Sequence, residues 1–558
     1  MTKKTEFKFK RHQTIGEIDA LEDRNFLECC FIDVAGELEI LADTMNPKCI
    51  VLGRTGSGKS ALLQALAMEE SRRVIRIEPD RLALSYLSNN QVLKFFMKLE
   101  VDLDIFFRVM WRHVFVVEIV RAHFNLSNQV KTSHWLSEFR AKIFRQKTKE
   151  KARDYLASFG ETFWVDTEER ITEYTRKVEQ ELQAAVGATI EAAIPGFASG
   201  TFNLNPQLTR KLTQEQKIEI AHQGQDVIGK HQLHEMNGVI DLLEEEFLDD
   251  EQKKYYITID RLDEKWVDDD LRYRLIRALF ETVREVNNRL KTVKVIVAIR
   301  EDLLIRVFRA TRGATGDQIE KYRGLYLELG WKRENLETFL DRRVNQLISH
   351  QYTQQAIKAK DVLPGKIMKR SPVEYIVDRT LMSPRDVITF FNECIKAADG
   401  KATISQTAIL AAEGVYSDAR LSALGDEWSA DYSNLNYAAS FLKRQKKVFK
   451  VGEILATDES RNQFELFINK LYSEAGADPL RHDTIYKLIE EKGSEGQWHE
   501  ILQELLKIFF RVSLIGFKIS SYTEMQWSYL GHRVHTAELD SDIACHIHPA
   551  FWRAFGIQ

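Results

Sequence analysis

Apolar residues along the chain form short uninterrupted runs and longer runs with a helical spacing. The short runs lie at 48–52, 74–77, 255–259, 294–299 and 324–331. They predict strands, because a strand covered on both faces is apolar at consecutive positions. The longer runs place apolar residues three and four apart, which predicts helices. Their alternation favours an α/β fold with a parallel sheet of five strands.

The stretch 81–245 interrupts this alternation and shows no strand pattern. A crossover between neighbouring strands needs only about a dozen residues, so this stretch is predicted to be a large helical insertion. Part of it predicts a buried helix face through residues spaced three and four apart: Phe95, Phe96, Leu99, Leu103, Phe106, Phe107, Met110, Trp111, Val114 and Phe115.

Composition excludes some classes of protein. Across 558 residues, 79 Lys and Arg face 83 Asp and Glu, which gives a net charge of -4 and no global attraction for nucleic acid. The basic segment 140–153 leaves a local nucleic-acid contact open but not favoured. The five cysteines show no paired spacing and predict reduced thiols. No window is apolar enough to cross a bilayer, so we expect a cytoplasmic protein without membrane contact.

The sharpest chemical signal is a glycine-rich loop between the first strand and a helix. Its residues are Gly53, Arg54, Thr55, Gly56, Ser57, Gly58, Lys59 and Ser60, followed by Ala61. Glycines let a backbone fold around phosphate oxygens, and the amides at the head of the helix then point inward. In this spacing Lys59 is expected to bridge the β- and γ-phosphates of ATP, and the Ser60 hydroxyl to ligate Mg²⁺.

A bound Mg²⁺ needs a carboxylate partner, and the strand at 255–259 ends directly at Asp260. Asp263 and Glu264 follow within reach of an attacking water, and one of them is predicted to be the general base. The alternative is that both only cap the following helix.

Two arginines are candidates for sensing the γ-phosphate. Arg300 ends the strand at 294–299, and the alternative for it is a structural salt bridge to Glu301 or Asp302. Arg385 follows Ser383 and Pro384, a pair that predicts a helix start with Ser383 as N-cap. Arg385 is then suited to a lid role, with a solvated helix-start arginine as the alternative.

These motifs in this order resemble the AAA+/STAND branch of P-loop ATPases, and the IDRLDE spacing is similar to that of KAP-type NTPases. The similarity is closest to bacterial P-loop ATPases with GRxGSGKSAL and DRLDExW motifs, read here as GRTGSGKSAL and DRLDEKW. The resemblance implies ATP binding with regulated hydrolysis, and a role as one component of an antiviral defence system. Arg261 stands where many AAA+ proteins carry a catalytic Glu.

The chain is accordingly divided into five predicted parts. They are a lead-in with the first half of the ATPase core (1–80), the helical insertion (81–245), the second half of the core (246–345), a helical lid (346–425) and a winged-helix-like C-terminal domain (426–558). Winged-helix modules bind DNA or pack as switches, and we favour the switch. Within this last part, His546 and His548 lack a Cys or carboxylate cluster and are interpreted as structural.

Three functional hypotheses follow. The first is an Mg²⁺-dependent ATPase that acts as a regulated switch or assembly scaffold, with a homo-oligomer and an effector protein as expected partners. The second is a nucleotide-gated scaffold that recruits an effector with little hydrolysis. The third is a DNA-engaging ATPase, against which the near-neutral charge argues.

Overall fold

We analysed a computed structural model of the chain. The structure describes residues 7–70, 73–79, 103–123, 237–238, 240–241, 254–264, 266–311, 319–352, 356–432, 434–474, 498–520, 522–534 and 539–557. Most of the predicted helical insertion, the basic segment 140–153 and part of the C-terminal region lie outside these residues.

The elements alternate between strands and helices in the first half of the described chain, and helices dominate the second half. The strands are β1 (Ile50–Gly53), β2 (Val74–Ile77), β3 (Tyr255–Ile259), β4 (Val293–Arg300), β5 (Tyr326–Glu328), β6 (Val448–Lys450), β7 (Ile515–Lys518) and β8 (Ala544–Ile547). The helices are α1 (Arg24–Cys30), α2 (Glu37–Ala42), α3 (Lys59–Glu69), α4 (Asp104–His123), α5 (Asp269–Arg289), α6 (Glu301–Ala310), α7 (Arg333–Tyr352), α8 (Ala359–Val362), α9 (Pro372–Val377), α10 (Pro384–Ala397), α11 (Gln406–Glu427), α12 (Leu435–Ala439), α13 (Val451–Ile454), α14 (Asp458–Glu474) and α15 (Trp498–Arg511). Short 3-10 segments are Ile319–Leu325, Ser440–Arg444, Ser528–Leu530 and Pro549–Phe551.

The chain forms two compact units. The first, here called the sheet unit, comprises Ala35–Gly53 and Leu62–Glu328. The second, the helical unit, comprises Met1–Val34, Arg54–Ala61 and Leu329–Gln558. The five-part division predicted from the sequence stays a prediction.

The sheet unit contains a five-stranded sheet in the order β2-β3-β4-β1-β5. All its pairings are parallel, and β3 and the first seven residues of β4 are buried. This arrangement explains their continuous apolar sequence, since helices cover both faces of a parallel sheet. The predicted α/β core with five parallel strands is confirmed.

The fifth strand is shorter than its apolar run. The run extends from 324 to 331, but β5 covers only Tyr326–Glu328, because the chain before it forms the 3-10 segment that ends at Leu325. Beyond the strand, the indole of Trp331 lies against Phe339 of α7, with ring centroids 5.6 Å apart. The apolar residues at both ends of the run therefore pack outside the sheet.

Helices α4 and α5 pack against each other in the sheet unit. Phe107, Met110, Trp111 and Phe115 of α4 are buried, and the Trp111 indole donates to the carbonyl oxygen of Leu275 at 2.9 Å. Within the described residues, the predicted helix face at this point of the insertion is confirmed. The part of that face before residue 103 lies outside the described chain.

The helical unit is centred on α10 and α11. The rings of Phe390 and Tyr416 stack at 4.9 Å between these helices. Glu413 of α11 is 2 % exposed and accepts hydrogen bonds from the Tyr375 hydroxyl at 2.7 Å, Arg379 Nε at 2.7 Å and Arg553 Nε at 3.3 Å. One buried carboxylate thus joins α9, α11 and the C-terminal segment.

The N-terminal segment is held into the same unit by Arg343 of α7. This buried guanidinium pairs with the Asp23 carboxylate, and its Nη1 donates to the carbonyl oxygen of Ile15 at 2.8 Å. Gly16 passes the same guanidinium with φ of 132°, and a Cβ there would lie 1.9 Å from Arg343 Nη1. Only glycine permits this close passage.

A small antiparallel sheet lies in the C-terminal part of the helical unit. Its order is β6-β8-β7, and the central strand β8 pairs Cys545 with Phe449 on one side and Phe517 on the other. Helix α15 packs on β7. Among the described helices, none is long and apolar enough to cross a membrane.

Candidate nucleotide-binding site

The glycine-rich loop follows β1, and α3 begins within it at Lys59. Gly56 and Gly58 have backbone φ angles of 78° and 96°, which residues with a Cβ atom rarely adopt. The first N–H groups of an α-helix have no partner inside the helix and attract anions. The loop therefore has glycine where its backbone needs it, and its binding of phosphate stays a prediction.

Gly56 is required for a second reason, because the start of α10 lies against it. A Cβ on Gly56 would lie 2.8 Å from Ser383 Oγ and 2.9 Å from Arg385 Cβ. Ser383 is the N-cap of α10, as predicted, and its side chain accepts a hydrogen bond from the amide of Asp386. The helix start that carries Arg385 is thus adjacent to the loop within the helical unit.

Three side chains hold carbonyl oxygens of the loop. Ser383 Oγ donates to the carbonyl of Gly56 at 3.1 Å, and Trp331 Nε1 donates to that of Ser57 at 2.8 Å. Lys59 Nζ donates to the carbonyl of Arg54 at 2.9 Å. Because a donor fixes each carbonyl direction, these bonds restrict the peptide planes of the loop.

Some polar atoms at the loop are buried without a hydrogen-bond partner in the described chain. They are Thr55 Oγ1, Ser57 Oγ and, at the adjoining helix start, Arg385 Nε. Buried donors without partners are uncommon, since each costs about 1–3 kcal/mol. A phosphate group supplies acceptor oxygens of the kind that these hydroxyl and guanidinium groups lack. The residues present therefore fit a nucleotide phosphate.

In the sheet unit, Asp260 follows β3 at the start of a tight turn. Asp260 Oδ1 accepts a hydrogen bond from the amide of Arg261 at 2.8 Å, and Arg261 has φ of 60°. The turn is held by Arg272 Nη1, which donates to the carbonyls of Asp263 and Glu264 at 3.2 and 3.0 Å. Helix α5 has Asp268 as its N-cap residue, so neither Asp263 nor Glu264 caps that helix.

Arg300, at the end of β4, makes a forked ion pair with Asp302. Its Nε and Nη2 lie 2.9 and 3.0 Å from the two carboxylate oxygens, and Nη1 lies 3.5 Å from Asp263 Oδ2. Burial alone would raise the pKa of Asp302, but Arg300 and Arg306 lower it below its usual value. Arg300 therefore forms the salt bridge to Asp302 that the sequence offered as its alternative role.

The predicted residues fall in both units. The helical unit holds Arg54–Ala61 and Arg385, and the sheet unit holds Gly53, Asp260, Asp263, Glu264 and Arg300. Glu264 forms an ion pair with Arg261 at 3.7 Å. The roles of these residues in catalysis and metal binding stay predictions.

Sequence reasoning missed the hydrogen bonds that Trp331 and Ser383 donate to the loop. Trp331 was interpreted only as the end of an apolar run, and Ser383 only as an N-cap. The signal that could have revealed the Trp331 contact is a tryptophan shortly after a core strand, at the edge of the sheet where a phosphate loop is expected. For Ser383 the sequence carries no such signal, because one hydroxyl serves both contacts.

The described residues contain no group of three or more His, Cys, Asp or Glu side chains that could hold a metal ion. His548 is buried, and its Nδ1 accepts a hydrogen bond from the amide of Ala550 at 3.1 Å. The interpretation of His546 and His548 as structural residues stays a prediction.

Comparison with known proteins gives two similarities. Residues 334–425 match the FunZ-associated C-terminal helical domain, a stretch that runs from α7 to α11. The chain is also 22 % identical over 568 aligned positions to an 80.3 kDa protein assigned to transposon gamma-delta in Escherichia coli (strain K12). This alignment covers 97 % of the chain and 67 % of the relative.

Proposed function

We propose that this chain binds ATP with Mg²⁺ through the loop Gly53–Ala61 and hydrolyses it, and that turnover controls its conformation or assembly. The observation that carries the proposal is the loop itself. It combines left-handed glycines at the head of α3 with buried, unpartnered Thr55 and Ser57 hydroxyls. This combination suits a ligand that offers several anionic oxygens.

Each predicted residue has a defined task in this proposal. Lys59 and the loop amides bind the phosphates, while Ser60 and Asp260 hold Mg²⁺, which offsets the phosphate charge. Asp263 or Glu264 orients the attacking water. Arg385 responds to the γ-phosphate, whereas Arg300, the second arginine predicted for this task, is held by Asp302 and stabilises the fold.

A nucleotide-gated scaffold with little hydrolysis is the second candidate. Both candidate bases are engaged by arginines, Asp263 by Arg300 and Glu264 by Arg261. A carboxylate oxygen that faces a guanidinium has fewer lone pairs left to orient an attacking water. This observation favours slow turnover.

The wider role is part of the proposal and rests on the similarity to P-loop ATPases described above. It comprises a homo-oligomer, an effector protein partner and a place in a bacterial anti-phage system, with the C-terminal sheet as a winged-helix-like switch. The name of the transposon-associated relative favours a third candidate, a DNA-engaging ATPase. The net charge of -4 argues against it.

The test is ATP binding and turnover by the purified full chain, with and without double-stranded DNA. Lys59→Ala is expected to abolish binding, and Asp260→Asn to abolish the Mg²⁺ dependence. Glu264→Gln and Asp263→Asn separate the two candidate bases, since only the true base reduces turnover while ATP still binds.

Mass determination by size-exclusion chromatography in ATP completes the experiment. Binding and assembly without turnover would replace the ATPase with the scaffold. Turnover that rises with DNA and falls with added salt would favour the third candidate. Absence of ATP binding by the wild-type chain would refute the proposal.

A further inference from the structure

A side chain of the C-terminal sheet region lies next to the phosphate loop within the helical unit. Tyr529, in the 3-10 segment Ser528–Leu530 between β7 and β8, faces the guanidinium of Arg54. The Cζ atom of Arg54 lies 5.8 Å from the centroid of the Tyr529 ring. This separation is within the range of a cation–π contact.

The Tyr529 ring is itself fixed by two aromatic neighbours. Trp527 stacks on it with centroids 5.6 Å apart, and His548 meets it edge-on at 5.4 Å. Ser528 directly precedes Tyr529 in the chain. Its hydroxyl donates a hydrogen bond to the carbonyl of Arg511 at 3.0 Å, which holds the segment against the end of α15. The ring is therefore a rigid partner for Arg54.

This aromatic wall carries no charge. Burial, together with the charges of Arg54, Arg379 and Arg420, lowers the pKa of His548 to about 3, so the imidazole is neutral at pH 7. Burial raises the pKa of the Tyr529 phenol, which stays protonated. A neutral aromatic ring contacts a guanidinium through its face and adds no charge of its own.

We propose that Tyr529 is a positioning residue that orients Arg54 of the phosphate loop towards the phosphates of ATP, which links ATP affinity to the C-terminal sheet. This inference rests on the proposed function. Orientation in advance reduces the rotamer entropy that Arg54 loses when it binds an anion. Because coupling between sites is reciprocal, ATP must in turn stabilise the segment around Tyr529.

The test measures the dissociation constant of Mg²⁺-ATP by calorimetry on the full chain and three variants. Tyr529→Phe keeps the ring and is expected to bind within about twofold of the wild type. Tyr529→Leu keeps apolar bulk but removes the ring, and we expect affinity to fall roughly threefold to tenfold, the factor that a cation–π contact supplies. Arg54→Gln removes the cation.

The double variant Arg54→Gln/Tyr529→Leu separates positioning from a structural effect. If Tyr529 acts through Arg54, the leucine has no further effect once Arg54 is gone. An equal loss in both backgrounds would overturn the proposal, as would unchanged affinity in Tyr529→Leu. Hydrogen exchange adds an independent readout, since ATP is expected to slow exchange at 527–530 in the wild type but not in Tyr529→Leu.

The two proposals fail in different ways. If the wild type does not bind ATP, the proposed function fails and this inference with it. If the wild type binds, Lys59→Ala does not, and Tyr529→Leu binds as the wild type does, only the inference is overturned.

Discussion

Arg300 and Arg385 are two arginines that the sequence assigned to the same task, and their surroundings differ. Arg300 in the sheet unit is forked onto Asp302 and also lies near Asp263. Arg385 in the helical unit packs its Cβ at Gly56 and has a buried Nε without a hydrogen-bond partner in the described chain. An arginine whose donors are used by a carboxylate stabilises the fold, whereas one with an unused donor is available to a ligand.

Glu413 is a buried carboxylate that accepts hydrogen bonds from two arginines, Arg379 and Arg553. We expect its replacement to have the largest effect on stability. Glu413→Leu leaves the buried Arg379 guanidinium without its carboxylate, so the free energy of unfolding is expected to fall by about 3–5 kcal/mol. Urea unfolding followed by circular dichroism measures this loss. Glu413→Gln, which keeps an acceptor oxygen, is the matched control and should lose less. Equal stability of Glu413→Leu and the wild type would show that this network contributes nothing.

His548 gives the second effect, which tests whether the imidazole beside Tyr529 is neutral in the folded protein. Its pKa is about 3 in the folded protein against a usual 6.5, so the unfolded state binds more protons between these values. The stability from this group is present above about pH 6.5 and is lost as the pH falls towards 3, by roughly 3 kcal/mol at pH 4.5.

The measurement is the free energy of unfolding from pH 4.5 to 7.5, for the wild type and for His548→Asn. Asparagine retains an acceptor for the amide of Ala550 but does not titrate, so its profile should be flatter by that amount. Parallel profiles would mean that His548 is protonated in the fold.

Arg385 and Arg300 themselves give the smallest expected effect and the most direct test of the comparison. Arg385→Met is expected to weaken Mg²⁺-ATP binding about tenfold, or ~1.4 kcal/mol, without a change in melting temperature. Arg300→Met is expected to lower the melting temperature and leave affinity unchanged, because Asp302 loses its forked partner. Calorimetry and thermal unfolding of both variants check this, and the opposite pattern would move the sensing role to Arg300.

The sheet strands and the glycine loop were predictable because their signals are local. The β3 strand was predicted at its observed bounds from consecutive apolar residues, and Ser383 was identified as an N-cap from the Pro384 that follows it. The bounds of β5 were not predictable, since the apolar residues around it pack against other elements instead of pairing in the sheet.

Local sequence was enough to place the runs that form the parallel sheet and to predict a phosphate-binding loop, because both signals depend on neighbours in the chain. The folded structure was needed to show which arginines are paired with carboxylates and which distant side chains contact the loop. Trp331 and Tyr529 contact the loop residues Ser57 and Arg54 from far along the chain. Such contacts depend on how helices and strands pack, and packing is a property of the whole fold that no local spacing encodes.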